Sequence, residues 1–355
     1  MRKILVILLL ALAVIFISKQ LGSKTTSQLD GGTGGQQGRQ GVKVPSRQTE
    51  AIASNLEIPW ELEFLPDGRM FVTERPGRLL LIGGEKKNYE VKEVAHIGEG
   101  GLLGMALDPD FTKNNFLYLY FTYRNGGQIL NKVQRFVFKN ESLIEDKVII
   151  DKIPGSNNHD GGRIKFGPDG ALYITTGDAQ ETGLAQDLNS LAGKILRYDG
   201  EKVEVYSYGH RNPQGLAWDT NGNLWATEHG PSTKDEINLV KKGSNYGWPT
   251  ITGNQAKAGM ETPIINSGSD TWAPSGAVIS DDKLYFAGLR GQAVYSMDLK
   301  TKELKKSFAG EFGRIRSVNL GPDGSFYIIT SNRDGRNPFP NASDDRIIRI
   351  TDLSQ

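Results

Sequence analysis

Six segments of this 355-residue chain repeat one pattern, and a repeat of this length decides architecture before local propensity does. They are "LPDGRMFVTE" at 65–74, "LDPDFTKNNFLYLYFT" at 107–122, "GPDGALYITTGD" at 167–178, "WDTNGNLWATEHG" at 218–230, "SDDKLYFAGLRG" at 280–291 and "GPDGSFYIITSN" at 321–332. Most join a turn built on Asp-Gly or Asn-Gly to a short strand of aromatic and β-branched residues, the local chemistry of a hairpin. Their centres, Asp67, Asp110, Asp169, Asn221, Asp282 and Asp323, lie 43, 59, 52, 61 and 41 residues apart. Four short strands with their turns need about 40 to 50 residues, so six units predict an all-β, six-bladed β-propeller with four-stranded antiparallel blades and loop insertions. A sandwich has no need of the repetition, and no long stretch carries the helical period of a solenoid.

The repeats leave the N-terminus outside. "MRK" precedes fourteen uncharged apolar residues, Ile4–Ile17, too short for a bilayer span of roughly 20 residues and matched to the apolar core of an export signal. No small-x-small cleavage site follows, so residues 1–20 read as a signal peptide or an uncleaved membrane anchor. Either places the protein in the periplasm, at the cell surface or outside the cell. Residues 21–48, rich in Gly, Gln, Ser and Thr, read as a flexible tether, and the propeller domain is expected over 49–355. With 42 Lys+Arg against 41 Asp+Glu, the net charge of +1 excludes an overall field that would draw nucleic acid. The absence of cysteine excludes disulfides and thiolate metal sites. The oligomeric state stays open, and a monomer is compatible with every feature.

A propeller brings the same end of each blade to a shared central channel, so a site should be scattered along the chain. Chemically loaded residues do recur beside the repeats: Glu99 in "IGEGG", His159 and Arg163 in "NNHDGGRI", Asp178 in "TTGDA", "YGHRNPQG" at 208–215, "EHGP" at 228–231, Arg290 in "GLRG" and "GRIRS" at 313–317. Arg314 and Arg316 are two apart and on a regular strand would share a face, which suits an anion bearing carboxylates or phosphates; a solvated strand face is the plain alternative. Carbonyls at the Gly230-Pro231 turn are hard oxygen donors fit for calcium, though a simple turn has the same sequence. Trp218 and Trp225 lie within a repeat and read as core. Trp272, in "TWAPSG", lies in a turn-rich segment and is expected near the mouth of such a site.

Taken together, "GGLLGMALDPDF", "HDGGRIKFGPDGALYITTGD" and "YGHRNPQGLAWD" running on to "EHGPSTKDEINLVKKGSNYGWP" resemble the soluble quinoprotein sugar dehydrogenases, the glucose/sorbosone dehydrogenase family that binds pyrroloquinoline quinone (PQQ). The resemblance spans roughly residues 50 to 350 and is nearer the aldose sugar dehydrogenases than the dedicated glucose enzymes. It implies oxidation of an aldose at its anomeric hydroxyl to the lactone, with electrons passed on to a quinone or other external acceptor. By the same resemblance His159 is the general base, Asp178 orients it, and Arg211 faces the quinone with Asn212. Arg290, Arg314 and Arg316 hold the cofactor's carboxylates, Gly230 and Pro231 bind Ca²⁺, and Glu99 lies near the sugar. The glucose enzymes carry lysine at the position of Arg290 and glutamine at that of Glu99. His210 and His229 are expected behind the site and His96 in a structural role. A non-enzymatic sugar- or protein-binding propeller and a calcium-dependent lactonase remain as alternatives. A lactonase would show a ring of Asp, Glu and Asn around a metal in place of the arginines.

Overall fold

The computed structural model describes residues 49–353, so the stretches read from the sequence as an export segment and a tether lie outside the described residues. The described residues form six four-stranded antiparallel sheets, as the repeats predicted. Each repeat is the turn between the first and second strands of a blade plus the second strand. The second strands Met70–Glu74, Leu172–Thr176, Leu224–Glu228 and Phe326–Thr330 are buried at every position. Their aromatic and β-branched composition answers to burial on both faces. In the turns the aspartate accepts a hydrogen bond from the backbone two residues on, as Asp67 does from Arg69 (3.0 Å) and Asp323 from Ser325 (3.0 Å). The fifth repeat lacks the glycine and instead places Asp281 and Asp282 at φ 48° and 55°, the pair of left-handed residues that a two-residue hairpin loop demands.

Both faces are buried because each blade packs on two neighbours. One apolar cluster joins the first and second blades through Phe71, Leu79, Met105 and Leu119, and the equivalent clusters continue round the ring. The last, with Leu62 and Val72 against Tyr327 and Ile347, closes the sixth blade on the first. Strand pairing closes the ring as well: the outermost strand of the sixth blade, Thr49–Ala53, comes from the start of the domain and pairs with Ile347–Ile350.

The ring sets where a site can form. In every blade the entry to the first strand and the exit from the antiparallel second strand lie at the same end, so twelve segments meet at one rim. At that end the first-to-second pairing shifts register in five blades, leaving Trp60 and Glu61, Leu103 and Gly104, Gln214, Ser275 and Gly276, and Arg316 outside the regular ladder. Several of these meet on the axis. Arg316 Nη1 donates to Gln214 Oε1 (2.8 Å) and Ser275 Oγ (3.4 Å), and Arg163 pairs with Glu61 while lying 4.0 Å over the Trp60 ring.

Candidate functional site

At this rim a cavity of about 310 Å³ is lined by Glu99, His159, Arg211, Asn212, Gly230, Pro231, Arg290, Arg314 and Arg316, nine of the eleven residues singled out from the sequence. Gln214, His229, Asp235 and Arg336 line it as well. Asp178 stands behind the wall and reaches the cavity through His159. Trp272 does not reach it. Its indole is 4% exposed and packs between blades on Phe286 and Tyr295, with centroids 5.6 and 5.8 Å away. The cause is Asp235, whose Oδ2 accepts the backbone N–H groups of Trp272 (2.6 Å) and Ala273 (2.8 Å), fixing a backbone course that turns the ring into the core. Trp225 is core as expected, and so is Trp60.

His159 sits at φ 65°, a left-handed conformation that costs energy for any residue but glycine. Its surroundings hold it there. Its N–H donates to Glu99 Oε2 (3.1 Å), its carbonyl accepts from Ala179 N (3.2 Å), and Gly177 packs so closely on that carbonyl that a Cβ would lie 1.8 Å from the oxygen. Nδ1 is 2.7 Å from Asp178 Oδ1. An ionised carboxylate only accepts, so Nδ1 carries the proton and the lone pair on Nε2 is the basic one. Asp178 is fully buried and fully engaged: Oδ1 also accepts from Gln180 N (2.9 Å), and Oδ2 accepts from the indole Nε1 of Trp248 (2.8 Å).

The cavity wall is cationic. Arg314 is neutralised by Asp334 (Nε 3.0 Å, Nη2 2.7 Å), and Arg336 by Glu99 (2.8 Å). Arg211 and Arg316 have no carboxylate partner among the described residues. Arg211 donates to His229 O (3.3 Å) and lies 5.4 Å over the Trp248 ring, with its Nε unpartnered. Arg316, 4% exposed, is pushed down to about 9 by burial, with Arg75 and Arg314 adding repulsion. Burial likewise holds His229 at about 4, so its imidazole is neutral at neutral pH. Burial opposes ionisation of Glu99, yet the positive groups around it, Arg336 and Arg316 among them, hold its carboxyl below the usual range. Buried and unpartnered at this wall are Arg211 Nε, Arg316 Nε, Asn212 Nδ2 and His229 Nε2.

Arg314 and Arg316 both reach the cavity, but by a different route from strand alternation. Arg314 precedes the strand Ile315–Leu320, and Arg316 is the residue extruded from the ladder between Ile315 and Ser317. Asp334 and Arg336 lie just past the end of the sixth repeat, beside the same second-strand exit at which Asp178, His229 and Arg290 close the third, fourth and fifth repeats. His229 stands in the wall itself, while His210 lies behind it, bonded to Glu228 (2.9 Å) and stacked on Tyr246. Trp248 comes from an insertion after the third strand of the fourth blade and has no counterpart in the repeats.

The sequence that builds this site matches a known family: the pattern for glucose/sorbosone dehydrogenases covers residues 56–339. The chain belongs to the glucose/sorbosone dehydrogenase family. Aldose sugar dehydrogenase YliI of Escherichia coli K12 is 31% identical over 342 residues, covering 81% of this chain and 90% of that protein. Among solved structures, the PQQ-bound aldose sugar dehydrogenase of Streptomyces coelicolor is 37% identical with a TM-score of 0.80, covering 86% of this chain and 98% of that one. An oxidoreductase (glucose dehydrogenase) of Thermus thermophilus is 42% identical with a TM-score of 0.80, over 86% of this chain and 99% of its own. Membership in this sugar-oxidising family explains the pairing of a carboxylate-held imidazole with an arginine wall, which a lactonase ring of acidic residues would not contain.

Proposed function

We propose that this glucose/sorbosone dehydrogenase oxidises aldoses at the anomeric hydroxyl to the lactone, with PQQ and Ca²⁺ as cofactors. The observation that carries the reading is a pair of guanidinium groups with no ion-pair partner among the described residues, the buried Arg316 and the partly buried Arg211, in one cavity with a histidine whose tautomer is set by Asp178. A protein keeps such cations out of water only at a cost, which an anionic ligand removes. The donor set fits PQQ: Arg290, Arg314 and Arg316 would hold its carboxylates, and the unpartnered N–H groups of Arg211 and Asn212 suit its ring oxygens and nitrogens. When bound, PQQ supplies the quinone that accepts hydride from the anomeric carbon. Among the described residues no group of three or more His, Cys, Asp or Glu side chains is placed to hold a metal, so a calcium ion on the Gly230 and Pro231 carbonyls would take its other ligands from the cofactor and water.

The chain's own part follows from the wall. His159 Nε2 takes the proton of the anomeric hydroxyl as the C–H bond breaks, and Asp178 steadies the imidazolium through Nδ1–H. Arg211, already desolvated, stabilises negative charge developing on an oxygen beside it without reorganising. Glu99, held by Arg336 in the cavity wall, would accept from a sugar hydroxyl next to His159. Export of the chain and transfer of electrons to an external acceptor complete the reading, supported by the apolar N-terminal run. The test is to add PQQ and Ca²⁺ to the purified protein and record its absorption spectrum before and after an aldose. Bleaching of the oxidised quinone band by sugar is expected; aldose oxidation that persists after both are stripped away rules the reading out.

A further inference from the structure

Trp248 stands where three parts of the site converge. Its Nε1–H is the sole hydrogen-bond donor to Asp178 Oδ2 among the described residues (2.8 Å), and its ring lies under the Arg211 guanidinium (5.4 Å). Its carbonyl accepts from Gln186 Nε2 (2.7 Å). Gln186 and Asn245 hold each other through paired amides (3.0 and 2.8 Å), and Asn245 Oδ1 also accepts from Gly247 N (2.8 Å). The insertion that carries the indole is thereby pinned to the loop between the second and third strands of the third blade. The same strand exit carries Asp178, whose own N–H donates to Arg211 O (2.8 Å).

We propose that Trp248 is a positioning residue that sets the basicity of His159 through Asp178 and, with its ring face, holds Arg211 over the same site. The proposal rests on the reading of His159 as the base, but its central claim concerns hydrogen bonds present without sugar or cofactor. A carboxylate that loses a donor holds charge less comfortably and binds a proton more readily. It also draws more strongly on the proton of any imidazole bound to it. With the carboxylate ionised, this stronger pull leaves His159 protonated to higher pH when the indole N–H is gone. The other charged groups near His159 are Glu99 on its backbone N–H, Arg336 bridging Glu99 and Asn158, Arg211 in the cavity wall, and the buried Asp160 next in the chain. In Trp248→Phe, Glu99, Arg336 and Asp160 keep their partners and Arg211 keeps an aromatic face, so a shift in that variant reports on the indole bond.

The phenyl ring of Trp248→Phe keeps a face for Arg211 and removes the donor; Trp248→Ala removes both. The chain has four histidines, so ¹⁵N-histidine labelling gives four resolvable imidazoles, with His159 assigned from His159→Gln. In the cofactor-free full chain, Trp248→Phe should keep the second imidazole proton of His159 to a pH higher by about half a unit or more, a shift that a lost charge-assisted bond readily supplies. In the loaded enzyme kcat should fall about tenfold with KM nearly unchanged, and the acid limb of the pH–rate profile should move up. PQQ affinity should survive in the Phe variant and drop at least fivefold in the Ala variant. A folded Trp248→Phe protein with His159 titrating as before overturns the proposal, whatever the loaded enzyme does. If the wild type oxidises no aldose but the imidazole shift appears, the functional reading fails and this one stands. Should Trp248→Phe not fold, Gln186→Met, which loosens the carbonyl anchor of the same residue, carries the same expectation and the same refutation.

Discussion

Replacing Arg316 with methionine should make the cofactor-free protein more stable while abolishing tight PQQ binding. Burial lowers the guanidinium from its ordinary 12.5 to about 9, and each unit corresponds to about 1.4 kcal/mol, so retaining the charge costs the empty protein on the order of 5 kcal/mol. The sign is clear. The folded value lies below the unfolded one, so the whole penalty is present at every pH below about 9 and fades only above it. Against it stand the contacts that the variant loses. Gln214 Oε1 loses its Arg316 donor, although Ser275 Oγ still donates to it at 3.3 Å, and the guanidinium leaves its place 5.7 Å from the Trp60 ring. Together these are worth about 2 to 4 kcal/mol. A methionine of similar length keeps the stem's packing, leaving a net gain of about 1 to 3 kcal/mol, or roughly 2 to 6 °C in melting temperature. Differential scanning calorimetry of the cofactor-free proteins at pH 7 measures it, and quenching of tryptophan fluorescence gives PQQ affinity, expected to fall by about 100-fold or more. A variant that melts several degrees below the wild type yet binds PQQ unchanged would show that Arg316 is a structural arginine, and the argument from uncompensated charge would collapse.

His159→Gln should lower the rate of cofactor reduction by about 100-fold to 10,000-fold while PQQ affinity stays nearly intact, since the arginines and not the imidazole hold the cofactor; stopped-flow reduction kinetics beside a binding titration separate the two, and loss of PQQ with an unchanged rate per bound cofactor would make the histidine a ligand. Burial raises the Asp160 carboxyl to about 7 against an ordinary 3.8, so this group favours the folded state least above pH 7 and regains that stability as pH falls toward 4. Asp160→Asn should therefore raise the melting temperature more at pH 8 than at pH 5, and an equal effect at both would show that the carboxyl does not titrate there. Removing residues 1–54 deletes the strand Thr49–Ala53 that closes the sixth blade and should lower the melting temperature well below that of a chain beginning at residue 48; equal melting would mean that closure rests on the apolar contact between the first and sixth blades alone.

What the sequence determined by itself was the ring. A turn that needs Asp-Gly or Asn-Gly, followed by a strand buried on both faces, is local chemistry, and its repetition counts blades because each blade must bury two faces against neighbours. The rim residues were legible for the same reason: Glu99, His159, Asp178, Arg211, Arg290 and Arg314 fall where strands enter or leave, and the repeats mark those places. Tertiary structure decided which way side chains point there. Arg316 enters the cavity because a register shift extrudes it from a ladder, and Trp272 leaves it because Asp235 takes hold of its backbone. Neither cause is written near the residue it acts on. Trp248 lies in an insertion outside the repeat, 70 residues from the aspartate it bonds, so only the folded ring could bring it behind His159. Burial was likewise invisible in the linear chain. Arg211 and Arg316, read from the sequence as cofactor-facing, were enclosed only when the blades closed around them and left neither with an ion-pair partner among the described residues.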